Sequence, residues 1–288
     1  MYNLYSITDI KSLLKKYDFK FSKALGQNFI SNGNLCPKIV SKSGISEQTG
    51  VLEIGPGIGV LTCELAKIAK KVVSVEIDRN LLPILHETTL QYNNIKFINQ
   101  DILKVDLNEL ISREFSGFSD IKVCANLPYY ISSQIILKLL ETDTNISSFT
   151  LMVQKEAGER ICATPGCREC GAMSLIVQYY ADAEILFHVS KGNFIPVPKV
   201  DSSVIRITKN PDKSSEVQDK NVFFRVVKST FLHRRKLMLN SLNKEFNIEK
   251  SEIERILLKC NISGFSRPEQ LSFSDFIHLS NNIYNRVK

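Results

Sequence analysis

Short apolar runs alternate with amphipathic segments from residue 50 to residue 180. The runs with the length of buried strands are GVLEIG, KVVSVEID, NIKFINQD, IKVCANLPY and SSFTLMVQ. Helical patterns follow most of them, in GVLTCELAKIA, RNLLPILHETTL, SSQIILKLLE, KEAGERIC and AMSLIVQYYA. Two later runs, DAEILFHV and VDSSVIRITK, come close together, which favours an antiparallel edge. The pattern predicts an α/β fold with a doubly wound sheet.

Helical patterns flank this region on both sides. Before it, apolar residues at helical spacing from Thr8 to Tyr17 and the pattern of NLCPKIVSKSGI predict a helical extension, with KALGQNFISN as a loop. After it, the polar stretch NPDKSSEVQDK marks a domain boundary. Three helical segments follow, NVFFRVVKSTFLHRRKLMLNSL, SEIERILLKC and SFSDFIHLSNNI. We therefore predict one domain of residues 1–209 and a small helical domain of residues 210–288.

The composition is that of an ordinary globular protein. The 288 residues are 43% hydrophobic and 23% charged, which is enough chain for a large core. The net charge of +7 fits a polyanionic partner, although many basic proteins bind none. The seven cysteines are odd in number, so a reducing compartment is expected rather than a disulfide framework. With no apolar run of membrane or signal-peptide length, we expect a cytoplasmic protein without a membrane span.

A glycine loop follows the first apolar run in VLEIGPGIGVLT, with Gly55, Gly57 and Gly59 at alternate positions. Glycine permits a tight turn and lets the backbone approach a ligand closely. The fingerprint of NAD enzymes needs a third glycine where this chain has Val60, which disfavours an oxidoreductase. Without a pyrophosphate to seat, the loop favours close approach to a methionine-type amino acid moiety. The alternative is a turn that serves only strand–helix packing.

Acidic residues end the next two predicted strands. Glu76 closes VVSVEID, where a carboxylate can accept both hydroxyls of a ribose, and Asp101 closes FINQD, where it can accept from an adenine amino group. Each acid has a simpler alternative, a solvated strand end or a helix cap, and Asp78 is a good cap candidate. Because ligands of open α/β sheets bind at the carboxyl ends of strands, the two acids and the glycine loop together favour a ligand site.

The fourth predicted strand runs into the segment NLPYY. Asn126 offers an amide carbonyl, and Pro128 restricts Leu127 so that its backbone carbonyl can point outward. Two acceptors that converge on one point suit an exocyclic amine with two N–H bonds, and Tyr129 supplies a flat face for a base. Phe194, before a P-x-P turn, could cover the other face of the base. The alternatives are a strand-ending turn with core tyrosines and an ordinary core phenylalanine.

Eight segments occur in an order that resembles the ribosomal RNA adenine dimethyltransferase family, and its small-subunit branch in particular. They are LGQNFI, VLEIGPGIGVLT, VEID, NQDIL, NLPYYISS, GNFIPVPKVDSSVIRI, FLHRRKLMLNSL and RPEQLSF. The resemblance runs from Leu25 to Phe276. It implies a Rossmann-like class I methyltransferase sheet with S-adenosylmethionine as cofactor and no metal. The implied substrate is a pair of adjacent adenines in a hairpin near the 3′ end of 16S rRNA, within the immature 30S subunit. We expect a monomer.

The resemblance assigns cofactor contacts to five residues outside the NLPYY segment. Asn28 and Ile30 line the site near the methionine part, and Gly55 lies against the cofactor. Glu76 binds the ribose, and Asp101 binds the adenine ring. These assignments agree with those made from the residue types at the strand ends.

The resemblance also implies how the target base is held. Asn126 touches both the cofactor and the target amine. The carbonyl of Leu127, fixed by Pro128, and the rings of Tyr129 and Phe194 hold the flipped base. Because a sulfonium is already an activated methyl donor, positioning rather than a strong general base supplies most of the acceleration.

A basic cluster in FLHRRKLMLNSL is the candidate RNA contact. Arg234, Arg235 and Lys236 lie beside an apolar stripe, so the helix can pack inward while it presents cations to phosphate. A solvated basic face is the alternative. The lysine-rich start of the chain is a second candidate patch.

One segment departs from the family pattern, and two other functions remain open. ICATPGCRECGAMS contains Cys162, Cys167 and Cys170, but zinc needs four ligands and no nearby residue completes a set, so we interpret these as thiols. A methylase of large-subunit RNA that confers macrolide resistance shares several motifs. A non-catalytic RNA-binding or assembly factor with a retained cofactor fold is the other alternative, which the intact site residues disfavour.

Overall fold

The computed structural model describes residues 2–22, 24–232 and 237–288. The chain divides into two compact units, one formed by Met1–Gly158 with Glu184–Lys209 and the other by Glu159–Ala183 with Asn210–Lys288. The sequence prediction assigned residues 159–183 to the first domain, whereas the structure groups them with the C-terminal helices. The reason is aromatic packing, since the ring of Tyr179 lies 5.3 Å from Phe223 and 4.9 Å from Phe224.

The described strands form a seven-stranded sheet and a two-stranded ladder. They are β1 (Phe29–Ile30), β2 (Gly50–Ile54), β3 (Lys71–Glu76), β4 (Ile95–Asn99), β5 (Ile121–Asn126), β6 (Ile146–Gln154), β7 (Ala181–Val189), β8 (Phe194–Ile195) and β9 (Ser202–Lys209). The large sheet has the order β4-β3-β2-β5-β6-β9-β7. Neighbours from β4 to β6 are parallel, and β9 is antiparallel to β6. The predicted α/β sheet with an antiparallel edge is confirmed.

Helices connect these strands and make up most of the second unit. They are α1 (Ile7–Lys16), α2 (Leu35–Lys42), α3 (Val60–Ala66), α4 (Leu82–Thr88), α5 (Leu107–Glu114), α6 (Ser132–Glu141), α7 (Lys155–Ile161), α8 (Ala172–Tyr180), α9 (Lys220–Leu232), α10 (Met238–Phe246), α11 (Lys250–Lys259) and α12 (Phe273–Val287). None of these helices, in the described part of the chain, has both the length and the apolar character that a membrane crossing requires.

Two helical predictions differ from the structure. The sequence prediction contained no α5, although Asp106 caps it by accepting from the backbone N–H of Glu109 at 3.1 Å, and its buried face holds Leu107, Leu110 and Ile111. The segment predicted as one helix from residue 221 to residue 242 instead contains two helices, α9 and α10. The backbone of Leu237 is extended, with φ −59° and ψ 137°, so a helix cannot continue through it.

The sheet order places a crevice between β2 and β5. From β2 the chain proceeds to β3 and β4 on one side, whereas β5 and β6 lie on the other side. The loops after β2 and β5 therefore lead away from each other at the carboxyl ends of these strands. In open α/β sheets this point of reversal is where ligands bind.

The ladder of β1 and β8 joins two segments that are far apart in the sequence. Phe29 pairs with Ile195, and Ile30 pairs with Phe194. The sequence prediction read the segment around β1 as a loop, because a two-residue strand has too few positions for an alternating pattern. The ladder fixes the residues before β1, which border the crevice.

Gly50, at the start of β2, is expected to tolerate no side chain. A Cβ atom there would lie 2.5 Å from Cδ1 of Phe115, whose ring is buried. Gly50→Ala should therefore lower the free energy of unfolding by about 1–3 kcal/mol, as overpacking does. Gly192→Ala, in the same unit, is the control because its Cβ would meet only Ser190 Oγ, at 3.9 Å. Denaturant unfolding tests this, and equal stability of the two variants would contradict it.

Candidate active site

A cavity opens at the carboxyl ends of β2, β3 and β5, within the first unit. Its lining consists of residues 25–30, 53–58, 60–61, 75–77, 81, 100–103, 126–131 and 135. Nine residues that the sequence analysis selected lie on it: Asn28, Ile30, Gly55, Glu76, Asp101, Asn126, Leu127, Pro128 and Tyr129. The crevice expected from the sheet order and the candidate residues therefore coincide.

The glycine loop after β2 forms one wall of the cavity. Gly55 and Gly57 have φ values of +68° and +60°, in the left-handed region that side chains rarely adopt. A Cβ atom on Gly55 would have only the backbone oxygen of Asn126 within 4 Å, at 4.0 Å. The space beside Gly55 is open, which leaves room for a ligand to approach the backbone.

Glu76, at the end of β3, is a buried carboxylate on the cavity wall. Its Oε1 accepts from the backbone N–H of Asp78 at 2.8 Å, and its Oε2 accepts from that of Gly57 at 3.4 Å. Burial raises the pKa of Glu76 to about 7, although the backbone hydrogen bonds oppose the shift. Each carboxylate oxygen can accept a further hydrogen bond, so the group can bind two hydroxyls at once.

Glu53, in β2, is a cavity residue that the sequence analysis did not select. Its Oε2 accepts from Thr62 Oγ1 at 2.8 Å and from Ser74 Oγ at 2.6 Å. Its Oε1 is buried and has no partner among the described residues. Burial raises the pKa of Glu53 to about 7, and the charge of Glu76 adds to the shift. A buried acceptor without a hydrogen-bond donor destabilises the folded protein.

The loop after β4 provides a polar edge and apolar surface. Asp101 accepts from the backbone N–H of Leu103 through Oδ1, at 3.0 Å, which fixes the carboxylate at the cavity. Ile77 and Ile102 also line the cavity, and sequence reasoning missed them because nothing in their type separates them from core residues. An acidic edge beside apolar surface suits a flat ring with an amino group.

Asn126 and Leu127, at the end of β5, present two oxygen acceptors. Asn126 Nδ2 donates to the carbonyl of Asn28 at 3.3 Å, which orients the amide and leaves Oδ1 without a donor among the described residues. The N–H of Leu127 donates to Met152 O at 3.0 Å and continues the ladder with β6. No described residue donates to the carbonyl of Leu127. Neither oxygen therefore has a hydrogen-bond donor in the described part of the chain, as an amine with two N–H bonds would need.

Tyr129 and Phe194, the two predicted base contacts, occupy different environments. Tyr129 is half-buried on the cavity wall, and its hydroxyl forms a 2.7 Å hydrogen bond with Ser202 Oγ that fixes the ring. Phe194 is only 1% exposed and belongs to the hydrophobic core, so the structure does not bring it to the cavity. Its position matches the alternative of a core phenylalanine. The exposed ring at the cavity is that of Tyr130 instead.

Two further sets of sequence candidates remain, the basic cluster and the cysteines. Arg234, Arg235 and Lys236 fall outside the residues that the structure describes. All seven cysteines are thiols. Within residues 2–22, 24–232 and 237–288, no three His, Cys, Asp or Glu side chains converge as metal ligands would.

Comparisons with known proteins identify the family to which the chain belongs. The family model for ribosomal RNA adenine dimethylase matches residues 18–279. A Clostridioides difficile (strain 630) protein, described as ribosomal RNA small subunit methyltransferase A, is 46% identical over 277 residues, which cover 96% of each chain. A dimethyladenosine transferase from Plasmodium falciparum has a crystal structure with TM-score 0.73 and 25% identity, over 87% of this chain and 95% of that one.

A second solved structure, that of the 23S rRNA methyltransferase ErmE, has TM-score 0.67 and covers 89% of this chain and 99% of its own. At 22% identity it bears on the fold alone, and it confirms the predicted class I methyltransferase sheet. Because the family model matches most of the chain and a relative is 46% identical along nearly its whole length, the chain belongs to the ribosomal RNA adenine dimethylase family of S-adenosylmethionine-dependent enzymes.

Proposed function

We propose that this enzyme methylates the N6 amines of two adjacent adenosines in a hairpin near the 3′ end of 16S rRNA. We further propose that it acts in the cytoplasm, as a monomer, on the immature 30S subunit. The observation that carries the proposal is a pair of oxygens without a donor among the described residues, Asn126 Oδ1 and Leu127 O, at a cavity that suits the cofactor. The small-subunit relative supports the choice of RNA.

The cavity lining offers a residue suited to each part of S-adenosylmethionine. The open space at Gly55 suits the amino acid part. Asn28 and Ile30 border the same region. Glu76 would accept from the ribose hydroxyls, and Asp101 would accept from the adenine amine. When bound, the cofactor supplies an electrophilic methyl group on its sulfonium.

Asn126 and Leu127 would make the target amine nucleophilic. The lone pair of an adenine amine is delocalised into the ring, so the free amine is a poor nucleophile. When Asn126 Oδ1 and Leu127 O each accept one N–H, they favour a tetrahedral nitrogen whose lone pair is free to attack. The excess proton then leaves to water.

Other residues would hold the base in place. Tyr129 offers its ring face to the base, held by the hydrogen bond to Ser202. Phe194 would support the base only indirectly, because it pairs with Ile30 in the ladder that fixes the border of the cavity. Moving the adenine out of its base stack costs about a few kcal/mol, and it costs less in a loop than in a duplex.

Methyl transfer to isolated ribosomal subunits tests the choice of substrate. Purified enzyme and S-adenosylmethionine with a radiolabelled methyl group should label small subunits from cells that lack this enzyme, and should not label large subunits. Label on large subunits alone would favour the macrolide-resistance type of methylase. Absence of label on both, with intact cofactor binding, would favour a non-catalytic assembly factor.

Cofactor affinity is expected to depend on pH through Glu76 and Glu53. Burial raises the pKa of both groups to about 7 in the ligand-free protein. Donation by the ribose hydroxyls favours the ionised form of Glu76, so the Kd should rise about tenfold per pH unit below about pH 7. Calorimetric titration with S-adenosylhomocysteine checks this. In Glu76→Gln the slope should be smaller, and a Kd independent of pH in the wild type would contradict the prediction.

The same pKa shifts make the stability of the ligand-free protein depend on pH, in the opposite direction to cofactor affinity. A carboxyl with a raised pKa in the folded state binds more protons than in the unfolded state, between its ordinary value of 4.5 and about 7. The stability of the ligand-free protein should therefore fall as the pH rises through this window. Thermal unfolding without the cofactor measures this trend.

A further inference from the structure

Tyr130 lies on the cavity lining, yet its side chain is largely in solvent. The residue is 55% exposed, whereas Leu127, three positions earlier on the same lining segment, is 1% exposed. Its hydroxyl makes no hydrogen bond with a described residue. A large aromatic ring that is neither buried nor hydrogen-bonded at the mouth of a binding site has a face available for contact.

The backbone of Gly26 supports this ring. A Cβ atom on Gly26 would lie 3.4 Å from Cδ1 and 3.6 Å from Cε1 of Tyr130, and Gly26 has φ +59°. The segment is held in place, since Asn28 Nδ2 donates to Gly26 O at 2.9 Å and Asn126 Nδ2 donates to Asn28 O at 3.3 Å. One edge of the ring, at Cδ1 and Cε1, therefore lies near a fixed backbone, while 55% of the residue remains exposed.

Tyr130 is an exposed ring on the lining of the cavity that the target base would enter. With one base against Tyr129 inside the cavity, the next nucleotide of the chain would lie outside it, within reach of the exposed Tyr130 ring. An unpaired base that has lost its neighbour in the stack can stack on an aromatic side chain instead. The two tyrosines would thus serve two consecutive bases, one inside and one at the mouth.

We propose that Tyr130 stacks on the nucleobase next to the one in the cavity, which in the proposed substrate is the other adenosine of the pair. This inference rests on the proposed function, because it needs an RNA substrate with consecutive unpaired bases. Tyr130 then contributes to RNA affinity and not to cofactor affinity.

The test compares Tyr130→Ala and Tyr130→Phe with the wild type. Tyr130→Ala should weaken binding of unmethylated small subunits roughly 5- to 150-fold, the loss typical of one base–aromatic stack. Tyr130→Phe should bind like the wild type because the hydroxyl is not used. Affinity for S-adenosylhomocysteine, which also reports folding, should be unchanged in both. Leu90→Ala is the control, since Leu90 is 84% exposed and does not line the cavity.

A second experiment removes from the RNA the base that Tyr130 would contact. Small subunits reconstituted with an abasic nucleotide at the neighbouring adenosine should bind the wild type as weakly as Tyr130→Ala binds normal subunits. Combining the two changes should cause no further loss, because both remove the same contact. Full additivity, or an equal loss of cofactor affinity in Tyr130→Ala, would overturn the proposal. Failure of the wild type to methylate any small subunit would instead reject the proposed function.

Discussion

Asn126→Ala is expected to lower kcat on unmethylated small subunits about 10²- to 10³-fold, the usual loss when one preorganised hydrogen-bond partner of a transition state is removed. Without Oδ1, one N–H of the target amine has no acceptor, and the nitrogen keeps its lone pair in the ring. The Kd for S-adenosylhomocysteine should change only a few-fold. Single-turnover methyl transfer and calorimetry measure the two effects separately.

Asn145→Ala is the matched control for this variant. Asn145 Nδ2 donates one hydrogen bond to a backbone carbonyl, that of Phe118, at 3.3 Å, as Asn126 Nδ2 does to Asn28. Asn145 does not line the cavity. The two variants should therefore lose similar stability, while only Asn126→Ala loses turnover. If Asn126→Ala had a kcat near that of the wild type, the result would contradict the proposed role of Oδ1.

Glu76→Ala is expected to raise the Kd for S-adenosylhomocysteine roughly 10²- to 10⁴-fold. Two hydrogen bonds from ribose hydroxyls to a charged acceptor are worth about 3–6 kcal/mol together. The variant also leaves the N–H groups of Asp78 and Gly57 without their acceptor, so part of the loss reflects a less ordered glycine loop. At saturating cofactor, kcat should recover much more than it does in Asn126→Ala.

Two further variants separate these contributions. Glu76→Gln keeps an acceptor oxygen but no charge, so its Kd should lie between that of the wild type and that of Glu76→Ala. Glu109→Ala removes an exposed glutamate whose partner is Arg113, at 3.2 Å on the same helix, and should leave the Kd unchanged. A wild-type Kd in Glu76→Ala would show that the ribose binds elsewhere.

The sequence predicted the fold most accurately at strands in which nearly every residue is buried. Strands β2, β3 and β5 are buried runs, and their carboxyl ends can be located from the change of composition at Gly55, Glu76 and Asn126. Because parallel strands end at one edge of a sheet, these residues could be grouped before any coordinates were known. Residue type then indicated the chemistry of each group.

Other features depend on contacts that no local pattern encodes. The pairing of β1 with β8 decides that Phe194 points into the core, and two-residue strands leave no periodic signal. Tyr129 and Tyr130 are identical in type, and only the backbone path shows which ring is held by Ser202 and which is exposed. Helix α8 belongs to the second unit because of its aromatic packing, which the boundary signal at residue 209 did not reveal.

Mass spectrometry of 16S rRNA tests the central claim most directly, namely that Asn126 Oδ1 and Leu127 O activate an adenine amine for methyl transfer. Unmethylated small subunits would be incubated with S-adenosylmethionine and either the wild type or Asn126→Ala. The wild type should produce dimethyladenosine at two adjacent positions near the 3′ end, and the variant should leave both adenosines unmodified over the same time. Methylation elsewhere in the RNA, or equal yields from the two proteins, would contradict the claim.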